Sequence, residues 1–460
     1  MKVKMVINNN IELNLSELDY DLYQLIKQDL TFDNPAYSNA LKNNYPIFNI
    51  KKQFYLYRTL GSTLILPRGY GKKLLQRLNE TGTGYTVQDD RLLLPRVEFN
   101  SKIKLRDYQS KAVDKLVRER QGGVSAPCGS GKTVVLLEAM ARIGQPSLWI
   151  THTRELLYQT IERACQFFDI TEQEVGVLGD GEFSLGQRLT VALVQTLSRV
   201  ELDQIKNEFG AIFIDEAHHL PAASFRYPVS VFPAHFRLWA SATPNRSDGL
   251  EEMIFVYGGP VLHEINQFEV PTMIPNLEVI KTSFKTPADH YTKMITNLIN
   301  NSKRNELIVN TIKAETAGNY CLVLSDRKEH LKILEGMLNK ALPNKSVEII
   351  TGDMSKKVRT EIMDRVQNRQ VDILLATQLA REGLDIKHLN RLFLTTPKKA
   401  NGAIQQEVGR IARPVEGKYD AVVFDFWDVD CPIINTQFWE RRKVYNKLGI
   451  KWQSKKARIS

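Results

Sequence analysis

The stretch APCGSGKT, Ala126 to Thr133, lies between a Gly122-Gly123-Val124-Ser125 run and the helix-forming VVLLEAMAR. Its spacing is a small residue, four variable ones, then Gly131, Lys132 and Thr133, which describes a loop wrapped around a phosphate chain. Gly129 and Gly131 let the backbone bend so that successive N–H groups point inward, with Pro127, Cys128 and Ser130 completing the cradle. The helix that follows turns its positive end to the anion. Lys132 reaches the outer phosphates, and Thr133 offers a hydroxyl to Mg²⁺. The stretch therefore reads as a nucleoside triphosphate site; taken alone it also fits an ordinary turn before a helix, and the residues downstream separate the two readings.

Downstream to residue 282, short apolar runs alternate with helical ones, the pattern of a parallel sheet whose ligand sits at the carboxyl ends of its strands. Ser147 to Thr151 reads as a strand, RELLYQTIERACQFF as an amphipathic helix and Leu189 to Val194 as another strand. The fully apolar Ala211-Ile212-Phe213-Ile214 then runs into Asp215-Glu216-Ala217-His218-His219. Downstream of a phosphate loop, such a carboxylate pair has a specific use: Asp215 holds Mg²⁺, and Glu216 orients and deprotonates the water that attacks the γ-phosphate. An acidic pair opening a helix is the alternative, since carboxylates suit the helix dipole. A further strand, Phe236 to Ala240, leads into Ser241-Ala242-Thr243-Pro244, where small hydroxyls can couple the carboxylates to the state of the triphosphate, or form a plain turn closed by proline.

The 460 residues imply two to four domains, and 43% hydrophobic content is ample for their cores. No apolar run approaches membrane-spanning length, and MKVKMVINNNIELNLSELD turns polar too soon for a secretory signal, so the expected location is cytoplasmic. Cys128, Cys165, Cys321 and Cys431 lie far apart, which points to neither a zinc site nor a disulfide framework. Much of the net charge of +10 lies from Trp439 to Ser460, where eight Lys or Arg face the single acid Glu440. Interleaved with Trp439, Tyr445 and Trp452, this basic end is either a surface for a polyanion such as nucleic acid or a solvated helix and tail.

Residues 1–98 carry none of the nucleotide motifs and mix alternating runs with one helical stretch, KKLLQRLNETG, as in a small α+β unit. Lys51, Lys52, Arg58, Arg68, Lys72 and Lys73 form either a nucleic-acid surface or an ordinary solvated face. A boundary at Asn100-Ser101 precedes Leu105-Arg106-Asp107-Tyr108-Gln109, which opens a helix ahead of the phosphate loop.

APCGSGKT, DEAHH and SATPNRSDG, in this order, resemble the first motor domain of the superfamily-two helicases and translocases. The second half resembles the paired domain. CLVLSDR with Ser325 and Arg327, and IITG with Thr351 and Gly352, resemble loops that grip the nucleic-acid backbone. ILLATQLAREGLDI resembles the fifth motif, with Thr377 and Gln378 toward the track and Gly383 and Asp385 toward the nucleotide. QEVGRIAR resembles the sixth, with Gln406, Arg410 and Arg413; the arginines stand at i, i+3 on one helical face, and as fingers they would meet charge developing on the γ-phosphoryl group. PCGSGK with its cysteine, the ending GRIARPVEGKYDAVVFDFWD and Ala412 resemble the XPB-like group and its UvsW-type phage relatives, which remodel branched DNA. The resemblance implies an α/β fold of two tandem RecA-like parallel-sheet domains, residues 99–282 and 283–460, behind a small N-terminal α+β domain.

The resemblance also implies ATP as nucleotide with Mg²⁺, Gln109 on the adenine, and Thr151, Arg154, Gln195 and Thr196 on backbone phosphates. Such contacts position without reading sequence, so the expected partner is DNA of any sequence, single-stranded, forked or four-way, bound by a monomer with steep salt dependence. Three functions remain open on the sequence: a DNA translocase acting on branched DNA, an RNA helicase of the DEAH kind, and a nucleotide-gated clamp without productive turnover.

Overall fold

The computed structural model describes residues 2–127, 129–217, 223–242, 252–266, 269–270, 273–288, 290–377, 386–398, 401–413, 415 and 418–450. They form two compact units, Met1–Asn266 and Gln267–Ser460.

Among the described residues the first unit contains two large sheets and a two-stranded one, Thr31–Asp33 with Gln53–Tyr55. Five strands at its N-terminal end run in the order Arg58–Leu60, Thr63–Pro67, Asn10–Asn14, Lys2–Ile7, Gly84–Asp89. Alternation along them turns Val3, Met5, Ile11, Leu13, Leu64 and Leu66 to one face, where the helices Tyr20–Asp29 and Gly71–Glu80 bring Leu22, Ile26, Leu74 and Leu78. The same core takes in Met253 and Val256 from the helix Glu252–Gly258, which belongs to the motor side of the chain.

The second sheet of this unit has eight strands in the order Glu182–Phe183, Gly176–Gly179, Leu189–Leu193, Ser147–Thr151, Ala211–Asp215, Phe236–Ser241, Gln121–Ser125, Val261–Glu264. Every pairing except the first is parallel. Its central strands are buried on both faces, as their unbroken apolar runs require, with Trp149 stacked on Phe213 at 5.8 Å. All loops at the carboxyl ends of these strands consequently share one edge.

The second unit carries a six-stranded parallel sheet in the order Asn276–Thr282, Val422–Asp428, Arg391–Leu394, Cys321–Leu324, Ile373–Ala376, Val347–Ile350. The strand Asn276–Thr282 pairs along its whole length with Val422–Asp428. This moves it out of the first motor domain, where the expected boundary at 282/283 had left it; its partner lies some 150 residues downstream, beyond the reach of local pattern.

Two expectations for charged residues change with burial. Arg68 is 3% exposed, held by Gln121 Oε1 and the carbonyls of Asn8 and Ala234, so it belongs to the interior of the first unit and to no surface. Within the basic C-terminal stretch, Arg441 and Tyr445 are buried on Asp425, so only part of it faces solvent; residues 451–460 lie outside the described residues. Among the described residues no helix is long and apolar enough to cross a membrane.

Candidate nucleotide site and nucleic-acid contacts

The strand Gln121–Ser125 delivers the chain to the phosphate loop, and the helix Lys132–Ile143 leaves it. Gly131 caps that helix in the left-handed region, φ 82°, and a Cβ there would stand 2.5 Å from Gln109 Nε2. Backbone and close approach thus both select glycine. Gln109 is buried: its Nε2 donates to the Ser130 carbonyl at 2.8 Å, its Oε1 accepts from the Arg106 N–H at 2.9 Å, and the Tyr108 hydroxyl donates to the same carbonyl at 3.3 Å. The amide expected to meet adenine is here a brace of the loop. Tyr108 shares that role, which the sequence pattern does not reveal.

Asp215 ends its strand at 5% exposure, with Oδ2 accepting from Thr133 Oγ1 at 3.3 Å. Lys132 Nζ stands 3.8 Å from Glu216 Oε1. The Glu216 N–H donates to Asp215 Oδ1 at 2.9 Å, and Glu216 itself adopts φ 52°, uncommon for a non-glycine residue and costly unless its surroundings enforce it. Burial and then the neighbouring Glu216 carboxylate push Asp215 up to about 6, against the pull of Lys132. The Thr133 hydroxyl and the Asp215 carboxylate, facing a phosphate loop, fit Mg²⁺, which takes one or two protein oxygens and completes its shell with substrate phosphates. Ser241 is buried at the end of its strand in register with Ser125. Cys128 and Thr243 lie outside the described residues.

Strand order distributes the remaining residues along the same edge. Asp215 and Ser241 stand beside the phosphate loop, while Thr151 and Arg154, then Gln195 and Thr196, follow the strands on the far side of Asp215. Thr151 is fully buried, its hydroxyl donating to the Ala192 carbonyl at 3.3 Å. Arg154 pairs with Asp180 at 2.9 Å yet stays 68% exposed, and Gln195 Nε2 donates to the His152 carbonyl at 2.8 Å.

In the second unit Ser325, Thr351 and Thr377 each follow the last residue of one of three neighbouring strands, where Leu324 and Ile350 both register with Ala376. Thr351 Oγ1 donates to Asp353 Oδ1 at 2.6 Å, Gly352 is exposed, and the Thr377 N–H donates to the Ile350 carbonyl at 3.3 Å. A buried chain that the sequence does not announce fixes the Ser325 loop. Asn305 Nδ2 donates to the Ile299 carbonyl at 2.8 Å, so its Oδ1 accepts from His330 Nε2 at 3.1 Å. His330 Nδ1 then accepts from Ser325 Oγ at 3.0 Å, and that oxygen accepts the Arg327 N–H at 3.2 Å. Burial keeps His330 neutral, pushing it down to about 3.

Arg410 lies in the last turn of the helix Asn401–Ile411, which also contains Gln406. Arg413 falls two residues past that helix, so the two arginines do not share one helical face; Arg413 precedes Pro414, whose ring disfavours helical backbone at the residue before it. Gln378, Gly383, Asp385 and the side chain of Gln406 lie outside the described residues.

Residues 102–246 match the family model described as Type III restriction enzyme, res subunit, and residues 302–415 the one described as Helicase conserved C-terminal domain. The chain is 28% identical, over 96% of its length and 84% of the other protein, to a protein of Acanthamoeba polyphaga mimivirus that carries the name of an ATP-dependent RNA helicase. It is 32% identical over 37% of its length to the DNA 3'-5' translocase XPB2 of Sulfurisphaera tokodaii, and this match spans 38% of that protein. S. cerevisiae Dbp5, in a structure bound to RNA and ADP BeF3, aligns at a TM-score of 0.58 and 16% identity over 76% of this chain and 89% of that one, a likeness of fold. With each half of the paired motor matched by its own model, the chain belongs to the superfamily-two helicases and is XPB-like among them.

Proposed function

We propose that this helicase is an ATP-driven DNA translocase that remodels branched DNA, forks and four-way junctions, without sequence specificity. The observation that carries the reading is the carboxyl edge of the first sheet. There the Lys132–Glu216 and Thr133–Asp215 pairs stand on the phosphate-loop side, and Arg154, Gln195 and Thr196 on the other. In this reading Lys132 binds the outer phosphates, Glu216 takes the proton of the attacking water, and Ser241 and Thr243 couple the site to the track. Bound Mg²⁺, held by Thr133 and Asp215, would neutralise charge on the phosphate oxygens. Arg410 and Arg413 act as the fingers, with Gln406 beside them. Gln109 meets adenine from its place against the phosphate loop, and Gly383 and Asp385 border the nucleotide. Ser325, Arg327, Thr351, Gly352, Thr377 and Gln378 take the backbone phosphates of the DNA in the second unit, as Thr151, Arg154, Gln195 and Thr196 do in the first.

The kinship with XPB2 favours DNA. The name carried by the mimivirus relative favours RNA as a second reading. Steady-state ATP hydrolysis, at one salt concentration, without nucleic acid and with single-stranded DNA, duplex, fork, four-way junction and RNA separates them. Strongest stimulation by branched DNA is expected. Stimulation by RNA alone overturns the DNA reading, and no stimulation by any polymer leaves the clamp.

A further inference from the structure

From Asn34 to Asn79 the chain carries eight Lys or Arg and no Asp or Glu. Three of the eight are engaged: Arg68 is buried, and Lys73 and Arg77 stand on Asp29 at 3.2 and 2.8 Å. Lys42, Lys51, Lys52, Arg58 and Lys72 are exposed. Among them stand aromatic rings that the fold leaves in solvent: Phe48 is 98% exposed, Tyr45 67% and Tyr55 61%. Single exposed apolar residues need no explanation, but three rings within eleven positions of an acid-free stretch form a patch with a chemistry of its own.

The rings sit on a loop that is tied at its base. The strands Thr31–Asp33 and Gln53–Tyr55 pair antiparallel and bracket the helix Pro35–Lys42 and the loop after it. The buried Asn34 closes the bracket: its N–H donates to the Lys52 carbonyl at 2.9 Å, its Nδ2 to the Lys51 carbonyl at 2.7 Å, and its Oδ1 caps the helix at the Ala36 N–H. Inside the loop the Tyr45 N–H donates to the Ala40 carbonyl and that of Ile50 to the Ile47 carbonyl. Phe48 is thereby presented on an ordered turn, flanked by Lys42 on one side and Lys51 and Lys52 on the other.

We infer that residues 43–52 are the branch-point contact of this protein, with Phe48 and Tyr45 stacking on unpaired bases and Lys42, Lys51 and Lys52 holding the flanking phosphates of DNA. Every base offers a π face, so stacking serves a sequence-independent motor, and cations interleaved with rings are the pattern that single-stranded nucleic acid selects. The carboxylate at the base of the loop, Asp33, already accepts from Gln53 Nε2 at 3.0 Å, and the loop itself offers none to a basic protein partner. The inference rests on the proposed action on branched DNA and deepens it.

The test uses the full chain and a DNA fork with 2-aminopurine at the branch. Replacing Phe48 and Tyr45 together by alanine should weaken fork binding about 10-fold and abolish the 2-aminopurine signal. ATP hydrolysis without nucleic acid should stay as in the wild type, as should the melting temperature, because Phe48 is almost wholly exposed. Phe48→Trp should keep fork binding. Wild-type fork binding by the double alanine variant, or loss of binding in Phe48→Trp, overturns the inference. A wild-type chain that no nucleic acid stimulates overturns the functional reading beneath it, a result visible before any variant is made.

Discussion

At Glu216 the backbone turns left-handed directly after a strand that is buried throughout, and the side chain so aimed comes 3.8 Å from Lys132. A left-handed glutamate persists only where the surroundings over-determine it, here the Asp215 carboxylate that takes its N–H and the lysine of the phosphate loop. Glu216→Gln keeps the shape and removes the base. Turnover should fall by about two to four orders of magnitude, while a fluorescent ATP analogue still binds. Lys132→Ala should abolish turnover and weaken analogue binding as well. Hydrolysis retained in both variants would remove the pair from the reaction. That Lys132, Thr133, Asp215 and Glu216 would meet was legible in the sequence, because a phosphate-loop spacing and an acidic pair after an apolar strand both fall at the carboxyl edge of one parallel sheet. Gln109 was legible as a neighbour of the phosphate loop but not as its brace, since its partner, the Ser130 carbonyl, is a backbone atom that no motif encodes.

At the level of the element, the helix Lys328–Ala341 carries His330 into the core and spends it on the loop that precedes the helix. The ordinary value for histidine is 6.5 and the folded value is about 3, so the unfolded chain takes up the proton first as pH falls. The stability gained by burying neutral imidazole is therefore whole above about pH 6.5 and is lost toward about pH 3, at most about 1.4 kcal/mol per pH unit. His330→Asn should lower the urea midpoint of the second unit at about pH 8, and the gap to the wild type should narrow at about pH 5. A gap that does not change with pH would show that the imidazole is not held neutral. Elements are legible in the sequence where apolar runs are continuous, as in Ala211–Asp215 and Ile373–Ala376. They are less legible where neighbours decide: the helix Asn401–Ile411 stops short of Arg413, to which spacing alone would extend it, and Asn276–Thr282 takes its sheet from a strand far along the chain.

For the first unit as a whole, residues 1–98 carry no nucleotide motif, yet they share a seam with the motor sheet that is built like a core. Arg68 donates to the Ala234 carbonyl at 2.6 Å, and Arg237, equally buried, donates to the carbonyls of Asn9, Phe232 and Tyr257. Leu92 bridges to Ala234, and Leu94 exchanges hydrogen bonds with Gln145. The sequence could not announce this, because the oxygens that receive Arg68 come from residues 8, 121 and 234. Gly69 is where the seam is tightest. A Cβ there would stand 2.3 Å from the Phe255 carbonyl oxygen, 2.5 Å from that of Val256 and 2.6 Å from the Gly259 nitrogen, all backbone atoms that cannot swing aside. Gly69→Ala should therefore cost about 1–3 kcal/mol, whereas alanine at Gly61, where a Cβ meets nothing, can act only through its left-handed backbone. The helix Glu252–Gly258, which the seam grips, follows the Ser241 loop, so the same substitution should lower DNA-stimulated hydrolysis at temperatures where the protein is still folded. Thermal unfolding and hydrolysis measured side by side check this: a lower melting temperature with unaltered hydrolysis makes the seam a support alone, and loss of both makes it a route from the N-terminal sheet to the nucleotide site.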